Sequence, residues 1–547
     1  MYNYLSRLEA TIKRDWEAPA LANYKGESFT YEQLAQHICR FHIFYEKAGI
    51  AKGDKIALCA RNTARWAVSF CAANTYEAVV VPLLSDFTPE SIGNLVAHCN
   101  ARVLITDSDI WGKLDKTVFP ELEAAVCASD FSLLFAKNEE VKAAFEGIDA
   151  VYNERYPEGL KKEDVRLPEP PGENIAVINY TSGTTSAPKG VMLRYEGLSA
   201  MIKFSIENCQ VDDKDKIVSM LPMGHIYGLV IEMLFPLCFG CTVYYLGKTP
   251  SPTLLLKAMQ EVKPFMVVAV PLVMEKIYKS SIKPVISKWY MKVLLSLPVV
   301  KGIIYKKIKN KVMGAFGGKV RRIILGGAAL NPEVEKCFRK MKLPYTVGYG
   351  MTEASPMLCY EDWKKYAPGS CGKPVDSVTV KIDSEDPEHI AGEILAKGIS
   401  ICSGYYNNPE ANAGLFTPDG YLHTGDLGIM DSEGNVFIKG RSKNMILSAN
   451  GQNIYPEEVE AIINTQDYVA ESVVVDRASK LVALVYLDAD AIRKAKLDDE
   501  AVADIPDRIR VNSNRKLDSY SQLSKVEIVL TPFEKTPKMS IKRFLYK

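Results

Sequence analysis

The chain has 547 residues, of which 47 % are hydrophobic and 24 % charged, and its formal net charge is +1. This length is too great for one hydrophobic core, so we expect at least two domains. The composition is that of an ordinary globular protein, and the near-zero charge excludes a general attraction to nucleic acid. Residues 1–19 contain no apolar run, so we predict no signal peptide.

Apolar, strand-like runs alternate with helical patterns through the first two-thirds of the chain. The strand-like runs are residues 55–60, 78–83, 102–106, 175–180, 265–270 and 321–325. Alternation of this kind is typical of α/β folds, in which parallel strands are covered by helices. We therefore predict an α/β fold with a large N-terminal domain built of layered α/β subdomains.

The sequence pattern changes in the last third of the chain. Residues 370–438 consist of short runs separated by Gly, Pro, Asp and Asn, which predicts a β-rich subdomain. The tail then combines a helical pattern at 456–464 with strand-like runs at 471–475 and 482–487. We predict an N-terminal domain over residues 1–440 and a small α+β C-terminal domain over residues 441–547.

The stretch most similar to a membrane span is residues 226–246. Glu232, Pro236 and Gly240 interrupt it, which favours a buried helix that turns into a strand. Cys238 and Cys241 form a lone CxxC without a second pair or a histidine, which indicates buried thiols instead of a zinc site. The twelve scattered cysteines predict reduced thiols and a cytoplasmic location.

The loop at residues 180–190 reads Tyr-Thr-Ser-Gly-Thr-Thr-Ser-Ala-Pro-Lys-Gly and follows an apolar run. Its glycines let the backbone approach a ligand closely, consecutive N–H groups form an anion-binding concavity, and Lys189 adds a point charge. This chemistry favours a polyphosphate, although the spacing is not that of a Walker loop. The alternative for the loop alone is a solvated turn.

Four other segments carry unusual polar chemistry. Gly-Tyr-Gly-Met-Thr-Glu at 348–353 joins an aromatic face to a carboxylate suited to Mg²⁺, and Tyr-Leu-His-Thr-Gly-Asp at 421–426 ends in an acid able to accept from ribose hydroxyls. Pro-Met-Gly-His at 222–225 places a histidine in apolar surroundings, and Gly-Arg-Ser-Lys at 440–443 begins the tail. Taken singly, each segment is as compatible with a structural turn, histidine or linker as with a site.

Together and in this order, these segments resemble the adenylate-forming superfamily of acyl-CoA synthetases, nonribosomal peptide adenylation domains and luciferases. The resemblance extends from Phe-Thr-Tyr-Glu-Gln-Leu at 29–34 to Lys-Thr at 535–536 and Arg543. Within the superfamily, Val-Pro-Leu-Val-Met-Glu-Lys-Ile-Tyr at 270–278 and the segment after it are most similar to long-chain fatty acyl-CoA synthetases.

The resemblance implies where ATP and Mg²⁺ would bind. The β- and γ-phosphates of ATP would be held by the loop residues Thr181, Ser182, Gly183, Thr184, Thr185 and Lys189. Adenine would lie against Tyr349 and Gly350 and the backbone of Gly326, Gly327 and Ala328. Thr352 would contact the α-phosphate, and Glu353 with Thr184 would bind Mg²⁺.

The resemblance also implies the remaining roles. Asp426, helped by Arg441, would hold the ribose, and His225 would gate the passage between the carboxylate pocket and the CoA tunnel. Lys443 falls at the hinge about which the C-terminal domain moves, and Gly451 would face the tunnel after that movement. Asn444 departs from the family pattern, which often has aspartate there.

These roles describe an ATP-dependent acid–thiol ligase. A fatty acid carboxylate attacks the α-phosphorus, pyrophosphate leaves, and the CoA thiolate then takes the acyl group from the adenylate. Two alternatives stay open at this point: an enzyme that loads a carrier-protein thiol, and a nucleotide- or acyl-binding protein that adenylates poorly.

Ser540 motivates the second alternative. In the family motif that Lys535, Thr536, Ile541 and Arg543 fit, this position is the lysine that contacts the carboxylate and the α-phosphate. Serine brings no charge to the developing oxyanion, so adenylation should be slow by about 10²–10³. Either a neighbouring lysine, Lys538 or Lys542, supplies the charge, or the serine is an engineered substitution.

The segment 276–322 contains no acidic residue. Thirteen lysines and arginines alternate there with apolar and aromatic residues such as Trp289, Tyr290 and Ile303. Such a surface can rest on anionic lipid, which predicts peripheral contact with the inner face of a membrane. The alternative is a solvated charged face, or lysine stems that cover core residues.

Overall fold

The protein is described by a computed structural model that covers residues 2–181, 188–247, 251–447, 453–477, 480–535 and 541–546. Its described residues form two large sheets and four smaller ones. Every strand-like run named above overlaps a strand, and parallel pairing dominates both large sheets, as predicted.

The large sheets each place one run of parallel strands in the core. The eight-stranded sheet has, in spatial order, Tyr405–Tyr406, Lys189–Arg194, Ile175–Thr181, Val79–Pro82, Lys55–Cys59, Ala101–Thr106, Ala124–Cys127 and Leu133–Ala136. The seven-stranded sheet has Tyr345–Val347, Arg322–Leu325, Met266–Ala269, Lys216–Ser219, Thr242–Tyr245, Pro19–Asn23 and Ser28–Thr30.

The smaller sheets lie in the predicted β-rich region, in residues 349–374 that lead into it, and in the tail. A four-stranded antiparallel sheet consists of Val378–Asp383, Gly392–Gly398, Leu422–Met430 and Val436–Arg441. The three others are Tyr349–Gly350 with Met357–Tyr360 and Lys373–Pro374; Ile446–Leu447 with Asn453–Ile454; and Val469–Arg477 with Lys480–Leu487 and Lys525–Val529.

Helices cover both large sheets and flank the sheet of the tail. The α-helices are Tyr4–Arg14, Tyr31–Lys47, Ala64–Thr75, Pro89–His98, Ser108–Trp111, Glu139–Glu146, Ile148–Arg155, Tyr195–Asn208, Phe235–Phe239, Pro252–Val262, Pro271–Ile277, Lys283–Ile286, Trp289–Leu294, Pro298–Ala315, Pro332–Met341, Pro409–Ala413, Pro456–Ile463, Ala489–Ala495, Asp499–Ala503 and Ile505–Asn514. Two π-helices, Gly228–Leu234 and Tyr278–Ile282, extend this set.

The motif at residues 29–34 has a local structural role. Thr30 and Gln33 form a capping box: Gln33 N donates to Thr30 Oγ1 at 3.2 Å, and Thr30 N donates to Gln33 Oε1 at 2.9 Å. These bonds satisfy backbone donors that the first helical turn leaves free. The helix Tyr31–Lys47 therefore begins at a fixed residue, with Tyr31 buried and its hydroxyl donating to the Leu237 carbonyl at 2.9 Å.

The stretch 226–246 is a buried helix followed by a strand, as predicted. Cys238 and Cys241 are buried free thiols, and burial raises the pKa of both. Glu232 is fully buried in the π-helix, where Oε2 accepts from Ser219 Oγ at 3.0 Å and from the backbone N–H groups of Met220 and Leu221 at 3.0 and 2.9 Å. Among the residues that the structure describes, no helix combines the length and apolar character that a bilayer crossing requires.

The tail packs against the N-terminal part through polar contacts. Lys279 Nζ donates to the Val469 carbonyl at 3.2 Å, and Asn331 Nδ2 donates to the Ala461 carbonyl at 2.9 Å. Lys283 forms a salt bridge with Asp467 at 3.0 Å. Burial lowers the pKa of Lys279, which means that the contact is partly desolvated. The division into residues 1–440 and 441–547 stays a prediction.

Glu232 should make stability depend on pH. Burial raises its pKa from 4.5 to about 8, so the unfolded chain loses this proton at lower pH than the folded chain. Ionisation then favours the unfolded state, and the free energy of unfolding falls between pH 4.5 and 8 by up to about 1.4 kcal/mol per pH unit. Glu232→Gln should remove this contribution, which thermal unfolding across that range measures.

The matched control is Glu433→Gln, because Glu433 is exposed. Its unfolding curve against pH should run parallel to that of the wild type. If the Glu232→Gln curve also runs parallel to that of the wild type, the pKa of Glu232 is not raised in the folded protein.

Candidate active site

The loop predicted to bind phosphates is closed by a β-hairpin. Strands Ile175–Thr181 and Lys189–Arg194 pair antiparallel, with Thr181 opposite Lys189. The hairpin therefore fixes both ends of the loop, while Ser182, Gly183, Thr184 and Thr185 lie outside the described residues. Lys189 Nζ lies 5.2 Å from the ring centroid of Tyr405, a cation–π distance.

Tyr405 joins this lysine to the predicted metal ligand. Its hydroxyl donates to Glu353 Oε1 at 2.8 Å, and Glu353 is only 8 % exposed. Burial and the Glu353 charge raise the pKa of Tyr405, so the phenol stays protonated and keeps donating. Lys189 and Glu353, 164 positions apart by the sequence numbering, thus meet on two sides of one tyrosine.

No sequence motif had singled out Tyr405. Its position depends on the pairing of strand Tyr405–Tyr406 with strand Lys189–Arg194 and on the side-chain amide of Asn412, whose Oδ1 accepts from Tyr405 N at 2.7 Å. A Gly-Tyr-Tyr run in a β-rich region reads as an ordinary strand, because tyrosine is common in strands.

Asp426 lies at the centre of a second polar group. Strand Leu422–Met430 pairs with Val436–Arg441 so that Asp426 faces Arg441, and Arg441 Nε lies 2.7 Å from Asp426 Oδ1. The Tyr349 hydroxyl donates to Asp426 Oδ2 at 2.6 Å, and the carboxylate is 5 % exposed. Burial raises the pKa of Asp426, while Arg441 acts in the opposite direction.

The group around Tyr405 and the group around Asp426 interact electrostatically. The charge of Glu353 also raises the pKa of Asp426, and both Tyr349 and Glu353 belong to the short segment 349–353. Thr352 lies beside Glu353 on the 3₁₀ turn Thr352–Ala354 and is equally buried. A side chain at Gly350 would place its Cβ 2.0 Å from the Pro356 carbonyl oxygen, so this turn needs glycine.

The glycines predicted to lie along adenine follow a core strand. Gly326 directly follows strand Arg322–Leu325, and Gly348 N donates to the Leu325 carbonyl at 2.8 Å. The carboxyl end of this strand is therefore next to the segment that carries Tyr349. Gly327 has a φ of +86°, and Gly327 and Ala328 are exposed. Their backbone is open to a ligand at the edge where open α/β sheets usually bind one.

The turn before His225 is held by two asparagines that the sequence analysis did not single out. Asn179, on the strand that leads into the phosphate loop, donates Nδ2 to the Gly224 carbonyl at 2.8 Å. Asn62 donates Nδ2 to the Leu221 carbonyl at 2.8 Å, and its Oδ1 accepts from Met223 N at 3.2 Å. The turn before His225 is thus fixed to the same hairpin that carries Lys189.

The predicted hinge comes directly after Arg441, the ion-pair partner of Asp426. Lys443 lies on the 3₁₀ turn Ser442–Asn444 directly after Arg441. Asn444 Nδ2 donates to Glu457 Oε1 at 2.7 Å, a contact in which aspartate would place two carboxylates together. The departure at Asn444 therefore has a local electrostatic reason. Gly451 lies outside the described residues.

The frame around Ser540 is attached to the sheet and to helix Pro456–Ile463 of the tail. Ser540 and Lys538 lie outside the described residues, but Lys535 forms a salt bridge with Glu471, and Arg543 forms one with Glu460. Burial raises the pKa of Glu460 to about 7. Of the two neighbouring lysines, Lys542 is paired with Glu534 at 3.3 Å.

The carboxylate chemistry fits a magnesium ion that is shared with a substrate. No group of three or more His, Cys, Asp or Glu side chains able to hold a metal occurs in the part of the chain that the structure describes. Mg²⁺ is usually held by one or two carboxylates and by substrate phosphates, so Glu353 next to the phosphate-loop hairpin is a suitable donor.

Two family models match the chain. The AMP-binding enzyme model matches residues 8–406, and the model of the AMP-binding enzyme C-terminal domain matches residues 443–546. The first match alone covers well over half of the chain.

Curated relatives include three long-chain-fatty-acid–CoA ligases. Ligase 4 of Saccharomyces cerevisiae is 28 % identical over 84 % of this chain and 71 % of its own length. Ligase 5 of Mus musculus is 28 % identical over 86 % of this chain and 71 % of its own. The Bacillus subtilis ligase is 28 % identical over 83 % and 79 %.

Solved structures share the fold. ATP-bound MatB from Rhodopseudomonas palustris has a TM-score of 0.78 at 21 % identity and covers 100 % of this chain and 98 % of its own. The O-succinylbenzoate coenzyme A synthetase of Bacillus subtilis, in complex with ATP and magnesium ion, has a TM-score of 0.75 at 21 % identity, with 98 % of each chain covered.

These findings confirm the predicted superfamily, the predicted α/β fold with a smaller C-terminal domain, and the prediction of an acid–thiol ligase. The names of these relatives and structures agree with the predicted cofactors ATP, Mg²⁺ and CoA. The roles of individual residues stay predictions. The chain belongs to the AMP-binding enzyme family and carries both the N-terminal and the C-terminal parts of that family.

Proposed function

We propose that this protein activates a long-chain fatty acid with ATP and transfers the acyl group to CoA, giving acyl-CoA, AMP and pyrophosphate. The proposal is carried by one observation: Lys189 and Glu353 meet on Tyr405, next to the buried pair of Asp426 with Arg441. A cation, a carboxylate suited to a metal ion and a second carboxylate able to accept from ribose hydroxyls suit a nucleoside triphosphate.

In the first half-reaction the protein aligns the fatty acid carboxylate with the triphosphate of ATP, two anions that repel each other. Lys189 and the N–H groups of the phosphate loop would neutralise the β- and γ-phosphates, and Thr352 would contact the α-phosphate. Glu353 would hold Mg²⁺, which supplies further charge neutralisation when bound. The fatty acid carboxylate attacks the α-phosphorus and the bond to pyrophosphate breaks, a step for which positioning and charge supply most of the catalysis.

Nucleoside recognition belongs to the second polar group. Asp426 would accept from the ribose hydroxyls, and Arg441 favours the ionised form of this carboxylate against the effect of burial, which raises its pKa. Tyr349 would lie along adenine with the backbone of Gly326, Gly327 and Ala328. The hydroxyl of Tyr349 already donates to Asp426, so the base and ribose subsites share one hydrogen bond.

The second half-reaction needs the CoA thiol beside the adenylate. The thiolate attacks the acyl carbonyl and AMP leaves with the bonding electrons. We propose that Lys443, on the turn after Arg441, is the hinge for the movement of the tail, that His225 gates the CoA passage, and that Gly451 faces it. The tail contacts at Lys279, Lys283 and Asn331 would have to break in this movement.

The acyl chain length is proposed from the relatives, which are named as long-chain-fatty-acid–CoA ligases. The two alternatives, carrier-protein loading and a binding protein that adenylates poorly, find no support among these names. A long-chain acid partitions into membranes, so the proposal includes peripheral contact with an anionic membrane through residues 276–322. The cytoplasmic location stays a prediction.

The function is tested with a panel of acids from acetate and benzoate to palmitate. Pyrophosphate release should require ATP and Mg²⁺ and should be fastest with palmitate. Turnover should depend on CoA, with acyl-CoA formed in equal amount to AMP. A preference for acetate or benzoate would reject the long-chain proposal. Multiple turnovers that do not need CoA would reject CoA as the acyl acceptor.

Glu353→Gln tests the metal subsite. The change preserves shape and removes one charge from a water-excluded position, so we expect ATP turnover to fall by about 10²–10³. The matched control is Glu410→Gln, because Glu410 is an exposed acid close in sequence to Tyr405. Wild-type turnover in Glu353→Gln would contradict the assignment.

Ser540→Lys tests the missing charge. Adenylation, measured as pyrophosphate exchange with acid and ATP, should rise by about 10²–10³, because an ammonium then faces the developing oxyanion. CoA transfer from a supplied acyl-adenylate should change little. If exchange does not change in Ser540→Lys but is lost in Lys538→Ala or Lys542→Ala, a neighbouring lysine has this role instead.

A further inference from the structure

Exposed apolar side chains are concentrated in one short segment. Of the nineteen large hydrophobic residues that are exposed in the described structure, eight lie between residues 285 and 303. Trp289 is 78 % exposed and Val299 is 77 % exposed, and the others are Val285, Tyr290, Val293, Leu294, Leu297 and Ile303. Scattered exposed leucines need no explanation, but a set concentrated in one segment in this way marks an interaction surface.

The same segment is rimmed by lysines without acidic partners. Lys288, Lys292, Lys301, Lys306 and Lys307 are all exposed, and no ion pair holds any of them in the described part of the chain. The sequence from 276 to 322 contains no Asp or Glu. We call the exposed side of residues 285–311 the basic-apolar face.

No part of the chain that the structure describes covers the outer side of the helices of this face. Helix Trp289–Leu294 has six residues and none of them is buried, although a helix this short is unstable alone in water. Helix Pro298–Ala315 buries Tyr305 and Val312 against the core and leaves Val299 and Ile303 outside. The missing partner must therefore accept apolar side chains and positive charge together.

Charge decides which partner fits. A second copy of the chain seated face to face would bring two sets of lysines together, and each like-charge contact is unfavourable. Nucleic acid would satisfy the lysines but not the valines, leucines and isoleucine between them, which do not stack on bases. An anionic bilayer satisfies both, since tryptophan and tyrosine favour the interface and lysines favour the headgroups.

We propose that the basic-apolar face docks on the surface of an anionic lipid bilayer, with Trp289, Val293 and Val299 inserted at the level of the headgroups and the lysines on the lipid phosphates. Docking would bring a membrane-partitioned acid to the enzyme, a consequence that rests on the proposed function. The docking itself depends only on the exposed residues and their charge.

The face is joined to the nucleotide side by unbroken helical structure. Helices Pro271–Ile277, Tyr278–Ile282 and Lys283–Ile286 follow one another without a gap. They begin next to Val270, whose Cγ1 would lie 4.0 Å from a Cβ at Gly327. The start of this path thus borders the adenine-side glycines, and its end carries the face.

Co-sedimentation of the full chain with vesicles tests the proposal. We expect binding to phosphatidylcholine vesicles with about one-third phosphatidylglycerol, weak binding to pure phosphatidylcholine, and loss of binding at about 0.5 M salt, where charges are screened. Each lysine near such a surface adds about fivefold to partitioning, so Lys288→Gln, Lys292→Gln and Lys301→Gln combined should weaken binding about 100-fold.

The matched control combines Lys494→Gln, Lys496→Gln and Lys516→Gln, which removes the same charge from exposed lysines of the tail. It should bind vesicles nearly as the wild type does. Equal binding to neutral and anionic vesicles, or equal losses in the two triple variants, would overturn the proposal.

Trp289 gives a readout of position. The tryptophan emission of the wild type should shift to shorter wavelength on anionic vesicles, and Trp289→Phe should lose the shift while still binding. Val293→Ser with Val299→Ser should weaken binding, and the control Ile390→Ser, at an exposed site elsewhere, should not. A shift that persists in Trp289→Phe would place another surface on the lipid.

Sedimentation velocity without lipid tests the alternative occupant of this face, a second copy of the chain. A wild-type dimer that becomes a monomer in Val293→Ser with Val299→Ser would assign the face to a second copy and overturn the proposal. Pyrophosphate release from palmitate dispersed in neutral detergent tests the proposed function independently. Activity without vesicle binding rejects only the docking, and vesicle binding without activity rejects only the function.

Discussion

The hydrogen bond from Tyr405 to Glu353, with Lys189 over the tyrosine ring, is the contact on which the candidate site depends. It fixes a carboxylate and an ammonium from distant parts of the chain without letting them form a direct salt bridge. A direct pair would satisfy both charges internally. With a tyrosine between them, each charge keeps capacity for an external ligand.

Backbone contacts support this tyrosine from two sides. The strand that carries it pairs with the strand of Lys189, and Cys402 N donates to the Glu353 carbonyl at 2.8 Å. The eight-stranded sheet and the turn Thr352–Ala354 are therefore joined at both the side-chain and the backbone level. A substitution that loosens either contact would move the cation and the carboxylate apart, because neither is held by the other.

The sequence was sufficient for the strands and for the order of the motifs, since apolar runs and glycine-rich turns depend on neighbouring residues. It was not sufficient for Tyr405, Asn179, Asn62 or the partners of Glu232, because those roles come from pairing between distant segments. The segment 276–322 shows the same limit: its lysines were visible in the sequence, but the exposure of Trp289 and Val299 depends on which helix faces pack inward. The family could be predicted because several motifs occur in one order along the chain, and no single one of them would have been enough.

Glu232 and Glu460 have a thermodynamic consequence for the whole chain. Their pKa values in the folded protein are raised to about 8 and about 7, well above the ordinary 4.5 of an exposed carboxyl. At pH 7 the unfolded chain has both carboxyls ionised, whereas the folded chain holds most of one proton on Glu232 and part of another on Glu460. Folding therefore takes protons from the buffer. The calorimetric enthalpy of unfolding at neutral pH should accordingly include the heat of buffer protonation and differ between buffers such as phosphate and Tris, even when the melting temperature does not.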